Sequence, residues 1–272
     1  MPALPRFWAQ LSTTDFAGLD AAATVAVLPV GATEQHGPHL PLSVDQSLVD
    51  AMLAQALLQL PAQLPVLVLP TQQVGYSPEH QQFAGTLTLS VQTVIATWVE
   101  LGECVARAGV KKLLLFNGHG GQASLLDIVA RELRTRCNLI VYGCSWWNLP
   151  LGDAVTGLFT PQEHRFGVHG GEIETSLMLA LRPEHVRMAQ ARDFKSSSQE
   201  RAASYPILGN GSSAKLGWQM QDYNVQGAAG NAAAATPDKG RALLEAAGRQ
   251  LALLLQELSA LPLATLVDRP AP

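Results

Sequence analysis

Cysteine is scarce in this chain of 272 residues. The three present, Cys104, Cys137 and Cys144, are an odd number and form no C-x-x-C pair. A disulfide framework and a thiolate zinc site are thereby excluded, and each cysteine is expected to be a small buried hydrophobe. Charge is sparse as well: 18 Lys+Arg stand against 22 Asp+Glu, net −4, and charged residues make up 15% of the chain. No basic cluster is dense enough to neutralise phosphates, so no nucleic-acid partner is expected. Long apolar runs are missing too. Gln256 and Glu257 interrupt the longest candidate, which falls short of the roughly 18 residues a membrane span needs. The segment from Met1 to Trp8 lacks the basic-then-apolar order of a secretion signal. These absences predict a cytoplasmic protein with no membrane partner. What is plentiful is apolar residues, 47% of the chain, enough for a large core. So little charge on such a chain also predicts that other subunits cover part of its surface, as in a homo-oligomer.

Apolar runs alternate with helical periodicity, which predicts α/β layers around a largely parallel sheet. Strands are expected from Thr24 to Val30, Pro65 to Pro70, Lys112 to Asn117 and Leu139 to Gly143. Ser43 and Gln46 form an S-x-x-Q capping box that would open a helix running to about Leu58. Further helices are expected from Val91 to Ala108, Gln122 to Arg136, Gly171 to Leu181 and Pro237 to Leu258. Residues 147–168 and 209–235 show neither period and read as lids, binding loops or subunit contacts. No repeat or linker divides the chain, so residues 1–272 are expected to form one domain.

Potential chemistry is concentrated in three segments. In P-V-G-A-T-E-Q-H-G-P-H-L-P and the residues that follow it, four potential metal ligands fall within twelve residues. Glu34 and His36, two apart in extended chain, leave the backbone on the same side and can share one ion. Asp45 opens the next helix. A carboxylate, an imidazole and a second carboxylate at a strand's end are the material of a hydrolytic metal site. In the second segment, N-G-H-G-G puts His119 at the carboxyl end of a buried strand, where open α/β sheets place ligands. A phosphate cradle built from Gly118, Gly120 and Gly121 is the weaker reading, because no acidic residue downstream completes it.

The third segment is H-G-G-E-I-E-T-S. Glu174 has Leu177 and Met178 at i+3 and i+4, so it points inward on the helix. An inward carboxylate is costly unless an ion or partner compensates it, and a metal is the economical explanation. Glu172 reads first as an acid favouring the helix amino terminus, with substrate binding as its functional alternative. His169, flanked by glycine, suits proton transfer or substrate binding. Trp146 and Trp147, just past a strand end, are candidate walls for a flat substrate or else core and interface aromatics.

In this order and spacing the three motifs resemble the creatininase (creatinine amidohydrolase) family, over about Phe7 to Leu258. The resemblance implies a three-layer α/β/α sandwich, a hexamer and two divalent metal ions per chain. It would make Glu34, Asp45 and His119 ligands of one ion, and His36, Asp45 and Glu174 ligands of the other, with Asp45 bridging. His169 would be the catalytic histidine. The segment from Glu79 to Thr86 resembles the family's loop beside the site, where His80 would bind substrate or stabilise the loop. In creatininase itself the N-G-H motif continues with an aromatic residue and a glutamate, whereas Gly120 and Gly121 follow His119 here. Weak or absent creatinine hydrolysis is therefore expected. The N-G-H-G-G form resembles branches that include formamide-cleaving enzymes and a peptidase of cofactor biosynthesis.

Nitrogen and carboxylate ligands without thiolates suit Zn, Mn or Fe(II). Two cations sharing a carboxylate lower the pKa of a bridging water from about 15.7 toward 7, giving hydroxide to attack an amide carbonyl. The expected activity is thus metal-dependent hydrolysis of a C–N bond in a small amide. The alternatives are peptidase or N-formyl hydrolase activity and, in another class, a non-catalytic metal-binding structural or regulatory module.

Overall fold

A computed structural model describes residues 5–269. The start of the segment read for a secretion signal (1–4) and the end of the expected domain (270–272) lie outside the described residues.

In chain order the elements are β1 (Val25–Val30), α1 (Val44–Gln59), β2 (Val66–Val68), α2 (Val91–Arg107), β3 (Lys112–Asn117), α3 (Ala123–Cys137), β4 (Ile140–Ser145), α4 (Asp153–Thr156), α5 (Pro161–Phe166), α6 (Glu172–Leu181), β5 (Asp193–Phe194), α7 (Ser198–Ser204), α8 (Met220–Tyr223), β6 (Gly230–Asn231) and α9 (Pro237–Ala260). The four long-range strands form one parallel sheet in the order β2-β1-β3-β4. Strand side chains alternate between faces, and here the parity sorts two cores. Val25, Val27, Leu114, Phe116 and Ile140 pack under α1, α6 and α9. Ala26, Leu28, Val30, Leu113 and Leu115 pack under α2 and α3. Both faces are covered, which is why the strand runs are apolar at every position. The molecule is an α/β/α sandwich.

Several details depart from the sequence reading. The capping box does not form: Ser43 stands at the N-cap of α1 with φ −98° and ψ 19° and no side-chain bond, because a capping side chain needs an extended backbone behind it. Residues 147–168 and 209–235 contain α4, α5, α8 and β6, and β6 pairs antiparallel with β5 in a separate two-stranded sheet. Elements of two to six residues are too short to show a period. Cys104 is exposed and Cys137 and Cys144 are only partly buried. Cys104 falls on the outer side of α2, whose buried side is Val94, Trp98, Val99, Gly102 and Val105.

The topology places chemistry at one end of the sheet. Strands β1 and β3 are central neighbours in register, Val30 beside Asn117, so the segments leaving their carboxyl ends emerge side by side. The amino terminus of α1 meets them there. A Cβ at Gly31 would lie 2.8 Å from the Gln46 nitrogen, and one at Gly118 would lie 2.6 Å from the Asp45 carbonyl oxygen. These two glycines let the first turn of α1, with Asp45, close onto the strand ends.

Candidate metal centre

Glu34 and His36 leave β1 in extended chain, Asp45 enters from α1, His119 follows β3 and Glu174 comes from α6. His119 is held by its own turn: Asn117 Oδ1 accepts the His119 N–H at 3.1 Å, and Asn117 Nδ2 donates to the His119 carbonyl at 2.7 Å. Gln122 donates to Asn117 Oδ1 and to the Gly31 carbonyl, each at 3.0 Å, tying the β3 turn to the β1 turn. The start of α6 is fixed by the buried Glu163 of α5, which accepts the N–H groups of Glu172 at 2.6 Å and Asn231 at 2.9 Å.

The five side chains converge on two overlapping groups. Ligand atoms of Glu34, Asp45 and His119 lie within 4.8 Å of one another, as do those of His36, Asp45 and Glu174, so Asp45 belongs to both. Asp45 Oδ1 is 3.3 Å from His36 Nε2 and Oδ2 is 3.5 Å from His119 Nδ1. Backbone carbonyls set the ring tautomers, because they can only accept. His36 Nδ1 donates to the Glu34 carbonyl at 3.0 Å and His119 Nε2 to the Tyr76 carbonyl at 3.0 Å. In the neutral rings His36 Nε2 and His119 Nδ1 therefore carry lone pairs, and both face carboxylates. Glu34 Oε2, Asp45 Oδ2 and His36 Nε2 are buried without a hydrogen-bond partner. Buried acceptors pointed at one another repel unless protons or a cation lie between them. The donor set and the orphaned atoms fit divalent ions.

The electrostatics express the same demand for positive charge. Burial alone would depress His119 and His36. The surrounding carboxylates outweigh it, Glu34 foremost for His119 and Asp45 for His36, and raise them to about 10 and about 9. Burial would lift Glu34, but His119 and His36 hold it below the usual carboxylate range. Burial, then the neighbouring Glu34, pushes Asp45 up. Burial pushes Glu174 to about 7.

His169 lies against this cluster with its ring stacked between His36 and His80, 4.1 Å from each. Its Nε2 donates to the Gln35 carbonyl at 2.6 Å, leaving Nδ1 as the acceptor, 3.7 Å from Glu34 Oε1. Burial, and then the His36 and His80 charges, hold its pKa well below the ordinary value. Its ring can also join Glu34 and His36 in a three-ligand group.

A sheet-end cluster of three carboxylates and two imidazoles, with a third imidazole beside it, can now be compared with known proteins. The sequence profile of the creatininase family, described as creatinine amidohydrolase, matches residues 9–255. The chain belongs to this family. Among its relatives, the mycofactocin precursor peptide peptidase of Mycobacterium tuberculosis is 31% identical over 67% of this chain and 68% of its own. The creatinine amidohydrolase of Pseudomonas putida is 34% identical over 62% of this chain and 68% of its own. A creatininase mutant structure of Zn-Zn type superposes with TM-score 0.74 at 28% identity, over 92% of this chain and 97% of that one.

Other residues singled out from this family member's sequence lie in varied places. His80 is buried beside the cluster, with Nδ1 accepting from Gln35 Nε2 at 2.8 Å and Nε2 3.4 Å from Glu34 Oε1. Glu172 faces away from Glu174 and pairs with Lys239 of α9. Trp146 is buried in the core under α1 and α9 with its Nε1 unpartnered, while Trp147 packs edge-on against it at 5.7 Å and is 40% exposed. His39, one of the four candidate ligands before α1, turns instead to the Thr175 hydroxyl at 2.9 Å. Gln35, Ser77, Glu79 and Trp218 were not anticipated. Trp218, edge-on to His80 at 6.3 Å and stacked on Tyr223 at 4.7 Å, comes from the 209–235 region, where one tryptophan amid small and polar residues was the available signal.

Proposed function

We propose that this creatininase-family amidohydrolase uses two divalent cations, Zn, Mn or Fe(II), to hydrolyse the C–N bond of a small amide, cyclic or acyclic. Glu34, Asp45 and His119 would hold one ion, and His36, Asp45 and Glu174 the other. The observation that carries this reading is the convergence of buried, unpartnered Glu34, Asp45 and His36 atoms on two groups that share Asp45. Bound cations would supply Lewis acidity at the amide carbonyl and lower the pKa of water held there. The chain's own contribution is proton traffic and exclusion of solvent. His169, kept neutral with Nδ1 free, would take a proton on that atom and return it to the departing nitrogen. His80 would hold substrate through Nε2–H, with Trp218 as an apolar wall. Trp146 and Trp147 are the further candidates for that wall, and the Lys239 pair argues for a structural Glu172. The protein would act as a cytoplasmic homo-oligomer, a hexamer as the family resemblance implies. The large exposed apolar side chains of Ile207, Leu208 and Val225 support burial by other subunits, and no helix among the described residues is long and apolar enough to cross a membrane.

A second reading, cleavage of a peptide end, is favoured by the likeness to the mycofactocin precursor peptide peptidase. Metal-loaded protein offered a cyclic amide, an N-formyl compound and a short peptide, with products followed by mass spectrometry, decides between them. His169→Ala should lower kcat about 10²- to 10⁴-fold with metal content retained. Loss of metal in that variant would make His169 a ligand. Two bound ions with no turnover of any compound would favour the non-catalytic module.

A further inference from the structure

Gly121 follows the His119 turn, and its missing side chain has a specific tenant. A Cβ built there would lie 1.7 Å from Glu79 Oε1 and 2.7 Å from His119 Nε2. No side chain of any size fits at 121 while Glu79 keeps its position. The Glu79 carboxylate, brought by the short turn Pro78–His80, occupies that niche, buried at 7% exposure. Its Oε1 is 3.4 Å from His119 Nε2, the nitrogen that also meets the Tyr76 carbonyl at 3.0 Å and the Ser77 hydroxyl at 3.2 Å. The opposite nitrogen, Nδ1, looks into the cluster, 3.2 Å from Glu34 Oε1.

Burying a carboxylate costs several kcal/mol unless a partner compensates it. Among the described residues, the ion-pair contact that Glu79 makes is with His119, Oε1 to Nε2. A carboxylate set behind a metal-binding imidazole, on the nitrogen that does not bind, fixes the ring and raises the basicity of the nitrogen that does.

We infer that Glu79 is a positioning residue of the centre: from the niche opened by Gly121 it sets its carboxylate against the outer nitrogen of His119, whose N–H the Tyr76 carbonyl accepts, and so supports the ring with Nδ1 presented to the ion shared with Glu34 and Asp45. This rests on the two-cation reading. It also accounts for a glycine at 121, because the carboxylate beside His119 arrives from a different segment of the chain.

The test is zinc affinity, measured by competition with a chromophoric chelator, together with thermal unfolding of the metal-free protein. Wild type should bind two ions. Glu79→Ala should still bind two, with affinity at the weakened site about 10- to 100-fold lower, while its metal-free form is at least as stable as wild type because a desolvated carboxylate is gone. Glu79→Gln, which retains an acceptor oxygen, should recover part of the affinity. Unchanged affinity in Glu79→Ala, or a metal-free form destabilised in parallel, would overturn the inference. So would outright loss of one ion in Glu79→Ala, since Glu79 would then be a ligand. Wild-type protein that binds no zinc would overturn the two-cation reading, and this inference with it.

Discussion

Glu172 and Glu174 lie two residues apart on α6, and the structure predicts opposite consequences for removing their charges. Glu174 accepts the Gly170 N–H at 2.6 Å and faces His36 at 3.9 Å. Burial raises its carboxyl from 4.5 to about 7. The folded carboxyl thus holds its proton more tightly than the unfolded one, so ionisation costs the metal-free protein stability as pH climbs from 4.5 to 7. Above pH 7 the cost reaches about 3 kcal/mol. Glu174→Gln keeps an acceptor for Gly170 and removes that cost. In chelator at pH 8 its Tm should rise by roughly 6–12 °C, at the 2–4 °C per kcal/mol typical of larger domains, and the gain should shrink toward pH 5. With metal present the same variant should carry one ion fewer and lose nearly all turnover. Glu172 instead pairs with Lys239, whose Nζ also lies 3.4 Å from the Ala234 carbonyl and whose side chain is 26% exposed. Glu172→Gln leaves that ammonium without its counter-charge at the α6–α9 contact. A fully buried broken pair costs about 3–5 kcal/mol; the partial exposure of Lys239 reduces this to about 1–3 kcal/mol, or roughly 2–12 °C in Tm. Metal content should stay at two. Calorimetry and elemental analysis of both variants read all four numbers. Metal loss in Glu172→Gln with metal retained in Glu174→Gln would refute the assignment of the two side chains.

Asp45 touches both candidate ion positions, so Asp45→Asn should reduce divalent metal from two ions per chain to none by elemental analysis; two retained ions with full activity would remove Asp45 as the bridge. His36 and His119, raised to about 9 and about 10, are both protonated at pH 7 in the metal-free protein and must be neutral to bind metal. Zinc addition at pH 7 should therefore release about two protons per chain from the rings and part of a third from Glu174, whose carboxyl is raised to about 7, read by calorimetry in buffers of different ionisation enthalpy. Affinity should fall as pH drops, since protons then compete harder for the same nitrogens. Zinc binding at pH 7 without proton release would contradict the raised histidines.

The sequence by itself determined the layers and the ingredients. Continuous apolar runs at β1 and β3 announced strands covered on both faces, and the glycine turns after them announced where side chains of consequence would emerge. Glu34 and His36 could be paired from their spacing, because a period of two puts them on one side of an extended chain. The i+3 and i+4 neighbours did not separate Glu174 from Glu172: Thr175, Ser176, Leu177 and Met178 are all buried, and Glu172 is buried where Glu174 is partly exposed. Tertiary structure alone decided the rest. That Asp45 reaches both candidate positions depends on α1 closing onto Gly31 and Gly118, a contact between segments with no local signature. Nothing in the order of residues shows which way a histidine ring turns. The Glu34, Gln35 and Tyr76 carbonyls set the tautomers of His36, His169 and His119, and each acts through space. His39 carries the same ligand chemistry as His36, yet packing sends it to Thr175. Glu79 was placed near the site only by the likeness of its loop, and its contact with His119 was not legible for the same reason: its niche is the side chain that Gly121 lacks, and the two residues meet only when the turn before α2 folds over the end of β3.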